Sequence, residues 1–156
     1  MLNRILPALC LLCSFMPLSA QSGVQRLQDI KRVYVGFFGD GDGADLVRNK
    51  IIGHLVKSKR IEVVENEDQA DAILTGAAQV TKSKYYSATA TTTSASANGG
   101  TKYHATAGVR LLSQDSRILW ADDTSNGLLA RSASSSLADK ISKKLLKAID
   151  EDGKRK

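Results

Sequence analysis

Between residues 33 and 80 the hydrophobic pattern changes period several times. Val33-Tyr34-Val35-Gly36-Phe37-Phe38 is a short β-branched and aromatic run closed by a glycine-aspartate cluster, which predicts a buried strand. From Ala44 to Ser58 the apolar positions are Leu46, Val47, Ile51, Ile52, Leu55 and Val56, spaced for one face of a helix. Arg48, Lys50 and Lys57 fall largely on the other face. Asp42 is placed to cap this helix, and Asp45 adds negative charge near its positive end. Ile61-Glu62-Val63-Val64 predicts a second strand, Glu65 to Gln69 a polar turn, and Ala72 to Val80 a third strand.

Ser83 to Thr106 is rich in Ser, Thr and Ala, and Thr89, Thr91 and Thr93 alternate with Ala88 and Ala90. A flexible linker would show no such period. The segment predicts a long, weakly hydrophobic hairpin that turns at Asn98-Gly99-Gly100 and returns into a fourth strand, Val109 to Leu112. Ser113 to Arg117 is then a turn into a fifth strand, Ile118 to Ala121. The last helix opens at Ser134 or Ser136, with Ser136 and Asp139 approximating a capping box. Leu137, Ala138, Ile141, Leu145, Ala148 and Ile149 mark its apolar face. The order β-α-β-β-β-β-α predicts an α+β fold: a mostly antiparallel sheet of about four to five strands with two helices packed on one face. The domain spans 31–149, after an N-terminal linker at 21–30 and before a frayed, charged tail at 150–156.

The first 20 residues break this reading and have the anatomy of a secretory leader. Arg4 is the positive start, Ile5 to Phe15 the apolar core, and Leu18-Ser19-Ala20 a small-residue cleavage site. Removing 1–20 would take away both cysteines and leave no thiol, which suits an oxidising compartment. The expected location is periplasmic or secreted. Neither Cys10 nor Cys13 lies in a lipidation box. With 156 residues the chain is one domain in length, and its formal charge of +6 excludes an acidic disordered tail.

Candidate chemistry is sparse. Gly39-Asp40-Gly41-Asp42-Gly43-Ala44 lies between a strand and a helix, and Glu65 follows 26 residues after Gly39, in the manner of a dinucleotide fingerprint. Asp40 and Asp42 would face the phosphates with like charge, so a glycine-rich turn is the preferred reading and nucleotide binding the alternative. A calcium loop counted from Asp40 ends on Ile51 instead of Glu. His54 is expected as a solvated helix residue. Asp122 and Asp123, adjacent on a strand, point to opposite faces and are poorly placed as a catalytic pair. No Gly-x-Ser-x-Gly elbow is present. The expectation is a protein without catalytic activity, cofactor or metal.

Two groups remain as candidate partner-binding residues. Tyr85, Tyr86, Tyr103 and His104 cluster in the hairpin sequence; Lys140, Lys143, Lys144 and Lys147 line the polar side of the last helix. The lysine stripe offers a polyanion-binding alternative. Export removes the chain from most nucleic acid, leaving anionic lipid or cell-wall polymer as counter-charge.

Asp68-Gln69-Ala70-Asp71-Ala72-Ile73-Leu74-Thr75-Gly76 resembles the acidic turn and Ala-Asp phrase that precedes the third strand in exported α/β modules. These are the curli-secretion (CsgG-like) lipoproteins, the penicillin-binding-protein activator lipoproteins and the amino-terminal domain of TolB. The outer-membrane lipopolysaccharide-assembly lipoproteins share a similar element order. The resemblance covers about Lys31 to Ile149 and implies an anticodon-binding-domain-like fold. Export without catalytic inventory, together with a hairpin too polar for the core, predicts a binding or assembly role in the cell envelope, docking an envelope protein or outer-membrane component through the sheet face or the 83–106 hairpin.

Overall fold

A computed structural model describes residues 26–128 and 132–154; the expected leader at 1–20 lies outside the described residues. In chain order the elements are β1 (Arg32–Val35), α1 (Ala44–Ser58), β2 (Glu62–Val64), β3 (Ala72–Ala90), β4 (Ala95–Ser113), β5 (Ile118–Leu128) and α2 (Ala133–Lys154). The α+β class and the order β-α-β-β-β-β-α are those expected. The sheet order is β2-β1-β3-β4-β5. The long ladders are antiparallel as expected, and the short β1 makes the sheet mixed. β1 runs parallel to both β2 and β3, whereas β3-β4 and β4-β5 are antiparallel. The cause is two returns of the chain to the end where β1 began, through α1 before β2 and through residues 65–71 before β3.

Register sorts the apolar residues onto one face. Val33 lies opposite Ala72, Val35 and Leu111 flank Leu74, and Ala78 is opposite Ala107. All are buried, as are Val47, Ile51 and Leu55 of α1 and Leu137, Ala138, Ile141 and Leu145 of α2. Together these form one core in which both helices cover the same side of the sheet. The buried stripe of α1 is narrower than the hydrophobic pattern suggests. Leu46 and Val56 are 48% and 55% exposed, because the helix presents only its 47-51-55 ridge to the core.

Both ends of the domain are tied together. The linker expected at 21–30 is, from residue 26, a single helical turn (Leu27–Asp29) followed by a buried Ile30. Gln28 N–H donates to Asp152 Oδ2 at 3.3 Å, and Arg26 pairs with the same carboxylate. The tail expected to fray is helical to Lys154, with Asp150 bound to Arg60 across the domain. These cross-chain pairs hold a charged segment that would fray in isolation. Two expected caps are also displaced. The N-cap of α1 is Gly43 at φ 75°, with no side-chain cap from Asp42. Ser136 lies inside the first turn of α2, its N–H bonded to Ser132 C=O at 2.9 Å.

The Ala-Asp phrase has a mechanical role. Asp71 Oδ2 accepts the backbone N–H groups of Lys31 (3.0 Å) and Arg32 (2.8 Å), and Oδ1 accepts the Arg32 guanidinium at 2.9 Å. One carboxylate thus clamps the start of β1 to the start of β3. Burial pushes the Asp71 carboxyl up, but the Arg32 side chain and the two backbone donors outweigh it and hold the group below the ordinary carboxylate value. Arg48, assigned by periodicity to the outer face of α1, instead donates to the C=O groups of Val35 (2.7 Å) and Gly36 (2.8 Å), closing the end of β1.

The largest departure is in the hairpin. β3 and β4 pair without interruption from Ala72↔Ser113 to Ala90↔Ala95. The turn is at 91–94, where Thr91 N–H donates to Ser94 C=O at 2.7 Å. Asn98-Gly99-Gly100 lies within β4. A turn there would slide the pairing by about a dozen residues and set Leu111 against the polar half of β3 instead of Leu74; the buried face decides the register. Gly99 and Gly100 instead lie opposite Tyr86 and Tyr85. A Cβ at residue 100 would come within 2.8 Å of the Tyr85 ring, so the glycine leaves space for that ring.

Candidate functional site

Two surfaces remain after the core is assembled. One is the outer side of the sheet, which neither helix covers. There the cross-strand rows Gln79-Thr106-Ser125 and Ala77-Gly108-Asp123 run over β3, β4 and β5. Their small side chains leave a shallow depression of about 640 Å³, bordered by the Asp40-Gly41 segment. The other is the end of the β3-β4 hairpin, which extends past Lys82 and Tyr103 as a two-stranded ribbon. Residues 86–99 are exposed throughout, turn included.

The glycine phrase does not form a phosphate cradle. Residues 36–42 lie along β3: Gly36 N–H donates to Leu74 C=O (2.8 Å), Ala78 N–H to Phe38 C=O (2.9 Å) and Val80 N–H to Asp42 C=O (2.7 Å). A Cβ on residue 41 would come within 2.3 Å of the Ala78 carbonyl oxygen. The glycine permits contact between loop and strand, and Asp40 and Asp123 both line the neighbouring depression. That charge is wrong for a pyrophosphate.

The hairpin candidates do not gather into one site. Side chains alternate across a strand, so Tyr86 and Tyr103 project on the helix-side face of the ribbon and Tyr85 and His104 on the opposite one. Tyr103 packs partly against the core, Tyr85 lies beneath Lys102 Nζ at 5.0 Å, and Tyr86 is 82% exposed.

The lysines of α2 are not a free basic stripe. Lys143 pairs with Asp139 and Lys147 with Glu151, each one turn away, and Lys140 donates to Asn126 Oδ1 at 3.2 Å. Lys144 reaches the sheet, donating to Asp122 Oδ1 (2.8 Å) and Thr124 Oγ1 (2.9 Å). Burial pushes the Asp122 carboxyl up, but the Lys144 and Thr124 bonds prevail and hold it below its ordinary value. Asp122 therefore faces the helices and Asp123 the outer side, the opposed arrangement expected from strand geometry. His54 keeps part of its solvent exposure, and its Nδ1 lies 3.7 Å from Asp139 on α2. Periodicity places a residue on a helix but does not reveal which neighbouring helix it meets.

Among the described residues there is no cluster of three or more His, Cys, Asp or Glu able to hold a metal ion, and no helix long and apolar enough to cross a membrane.

No family model matches the chain, and no curated protein matches it. Among solved structures, it is similar to the PelC dodecamer from Paraburkholderia phytofirmans at 14% identity. That match covers 76% of this chain and 86% of that chain, with a TM-score of 0.45. A point variant of that dodecamer gives 14% identity, 76% and 85% coverage, and a TM-score of 0.46. A PDZ domain protein from Parabacteroides distasonis is similar at 13% identity over 72% of this chain and 30% of that one, with a TM-score of 0.41.

Proposed function

We propose that the protein is an exported, non-enzymatic binding or assembly module of the cell envelope that docks through its uncovered sheet face and the β3-β4 ribbon. The ribbon carries this reading: past Lys82 and Tyr103 it adds no residue to the buried core, yet it holds two of the chain's four tyrosines, Tyr85 and Tyr86. A segment so exposed is maintained at the cost of ordering its backbone, which points to a use outside the domain. Export is supported by the leader pattern of residues 1–20. The absence of catalysis is supported by the engagement of His54, Asp71 and Asp122 in structural contacts.

The test shortens the ribbon at a paired rung, deleting 83–102 and joining Lys82 to Tyr103 through an Asn-Gly turn. Crosslinking in envelope preparations should then lose most of the adducts formed by the intact protein, while the shortened chain still unfolds cooperatively. An unchanged adduct pattern from a folded shortened chain would remove the ribbon from the docking surface.

A further inference from the structure

The lysines of this protein fall into two populations. Those of α2 are engaged internally, as described above. Lys82, Lys84 and Lys102, on the ribbon, have no ion-pair partner among the described residues. Nor could a sequence neighbour supply one, because between Asp71 and Asp115 the chain carries no acidic residue. Lys102 has only the Tyr85 ring beneath it.

The ribbon is also two-sided. On its helix-side face the successive rungs are Lys82↔Tyr103, Lys84↔Thr101, Tyr86↔Gly99, Ala88↔Ala97 and Ala90↔Ala95. On the opposite face they are Ser83↔Lys102, Tyr85↔Gly100, Ser87↔Asn98 and Thr89↔Ser96. One side of the tip therefore carries four alanine methyls, preceded by an exposed tyrosine and two unpaired lysines. The other side carries hydroxyls and an amide. This order of ammonium groups, amphipathic ring and methyls matches the gradient at the edge of a bilayer, from phosphate to acyl chain.

We propose that the helix-side face of the ribbon is a docking element for a membrane surface rich in anionic lipid. Lys82 and Lys84 meet headgroup phosphates, and Tyr86 and the alanines rest at the headgroup boundary. This rests on the reading of the ribbon as a docking element and names what it docks on. A dissolved polyanion would use the lysines alone and leave Tyr86 and the alanine face idle.

The test is co-sedimentation of the purified protein with phosphatidylcholine vesicles, with and without phosphatidylglycerol. Binding should require phosphatidylglycerol and weaken as salt is added. Each lysine near such a surface contributes about fivefold in affinity, so K82Q/K84Q should lose roughly twenty-five-fold, while K102Q, on the opposite face, should lose far less. Y86S, which leaves the charge unchanged, should weaken vesicle binding severalfold but leave binding to dextran sulfate unaltered. K143Q/K147Q should match the unmodified protein. Equal binding to neutral vesicles, full binding by K82Q/K84Q, or a Y86S protein that binds vesicles as well as its parent would each overturn the proposal. Failure here with envelope crosslinks still ribbon-dependent would leave the docking element standing and make its partner a protein.

Discussion

Leu145→Ala is expected to destabilise the protein by about 2–5 kcal/mol in equilibrium urea unfolding. Leu145 is fully buried on α2, in the same cluster as Ile51 and Leu55 of α1 and Leu74 and Leu111 of the sheet. Truncation removes transfer energy and leaves a cavity where three layers of side chain meet, and such a site has little freedom to collapse. The paired control is Val56→Ala. Val56 belongs to the same apolar pattern as Leu55 but is largely exposed, so its truncation should stay within about 0.5 kcal/mol. Similar losses from both would mean that α1 buries a different stripe from the 47-51-55 ridge.

Gly41→Ala is expected to cost about 1–3 kcal/mol, as overpacking of a closed contact. The added carbon would lie 2.3 Å from the Ala78 carbonyl oxygen, so either the 36–42 segment lifts from β3 or β3 bends. Backbone atoms on both sides leave no flexible group to move. Gly53→Ala should change stability with the opposite sign. Gly53 is inside α1 with nothing within 4 Å of the position its Cβ would take, so alanine there should stabilise by about 0.5–1 kcal/mol. Thermal or urea unfolding of the two variants separates a glycine required by packing from one that is merely tolerated. A phosphate-cradling loop would leave residue 41 open towards solvent, and Gly41→Ala would then be close to neutral.

The helices and the sheet were legible from the sequence because burial imposes a period on it. The limits of α1 and the apolar face of α2 follow from residues three and four apart, and the strands from β-branched runs. What escaped is what depends on contacts distant in sequence. Asn98-Gly99-Gly100 is a strong local turn signal, yet the pairing of Leu74 with Leu111 fixes the register and places the turn seven residues earlier, at 91–94. Arg48 looks like a solvent-facing cation until β1 is seen to end beneath it. The acidic end of α2 looks frayed until Arg26 and Arg60 are brought to it.

The candidate site was legible in part for the same reason. Composition drew attention to the tyrosines and to the lysines of α2 but passed over those of the ribbon, because it could not separate lysines with internal partners from lysines without them. For Lys144 the deciding partner is Asp122, on a strand 22 residues away. One signal was available in the sequence: the absence of any acidic residue between Asp71 and Asp115 marks the hairpin as the segment whose cations lack local partners.

The central claim is that the domain is complete without its ribbon, which is an appendage held for contact with something else. Native-state hydrogen exchange of the free protein tests this most directly. Amides of β3 and β4 around Leu74 and Leu111 should exchange only through global unfolding. Those of residues 84–100 should exchange orders of magnitude faster, through local opening. Ribbon amides as slow as those of the core would contradict the account and make the hairpin part of what holds the fold together.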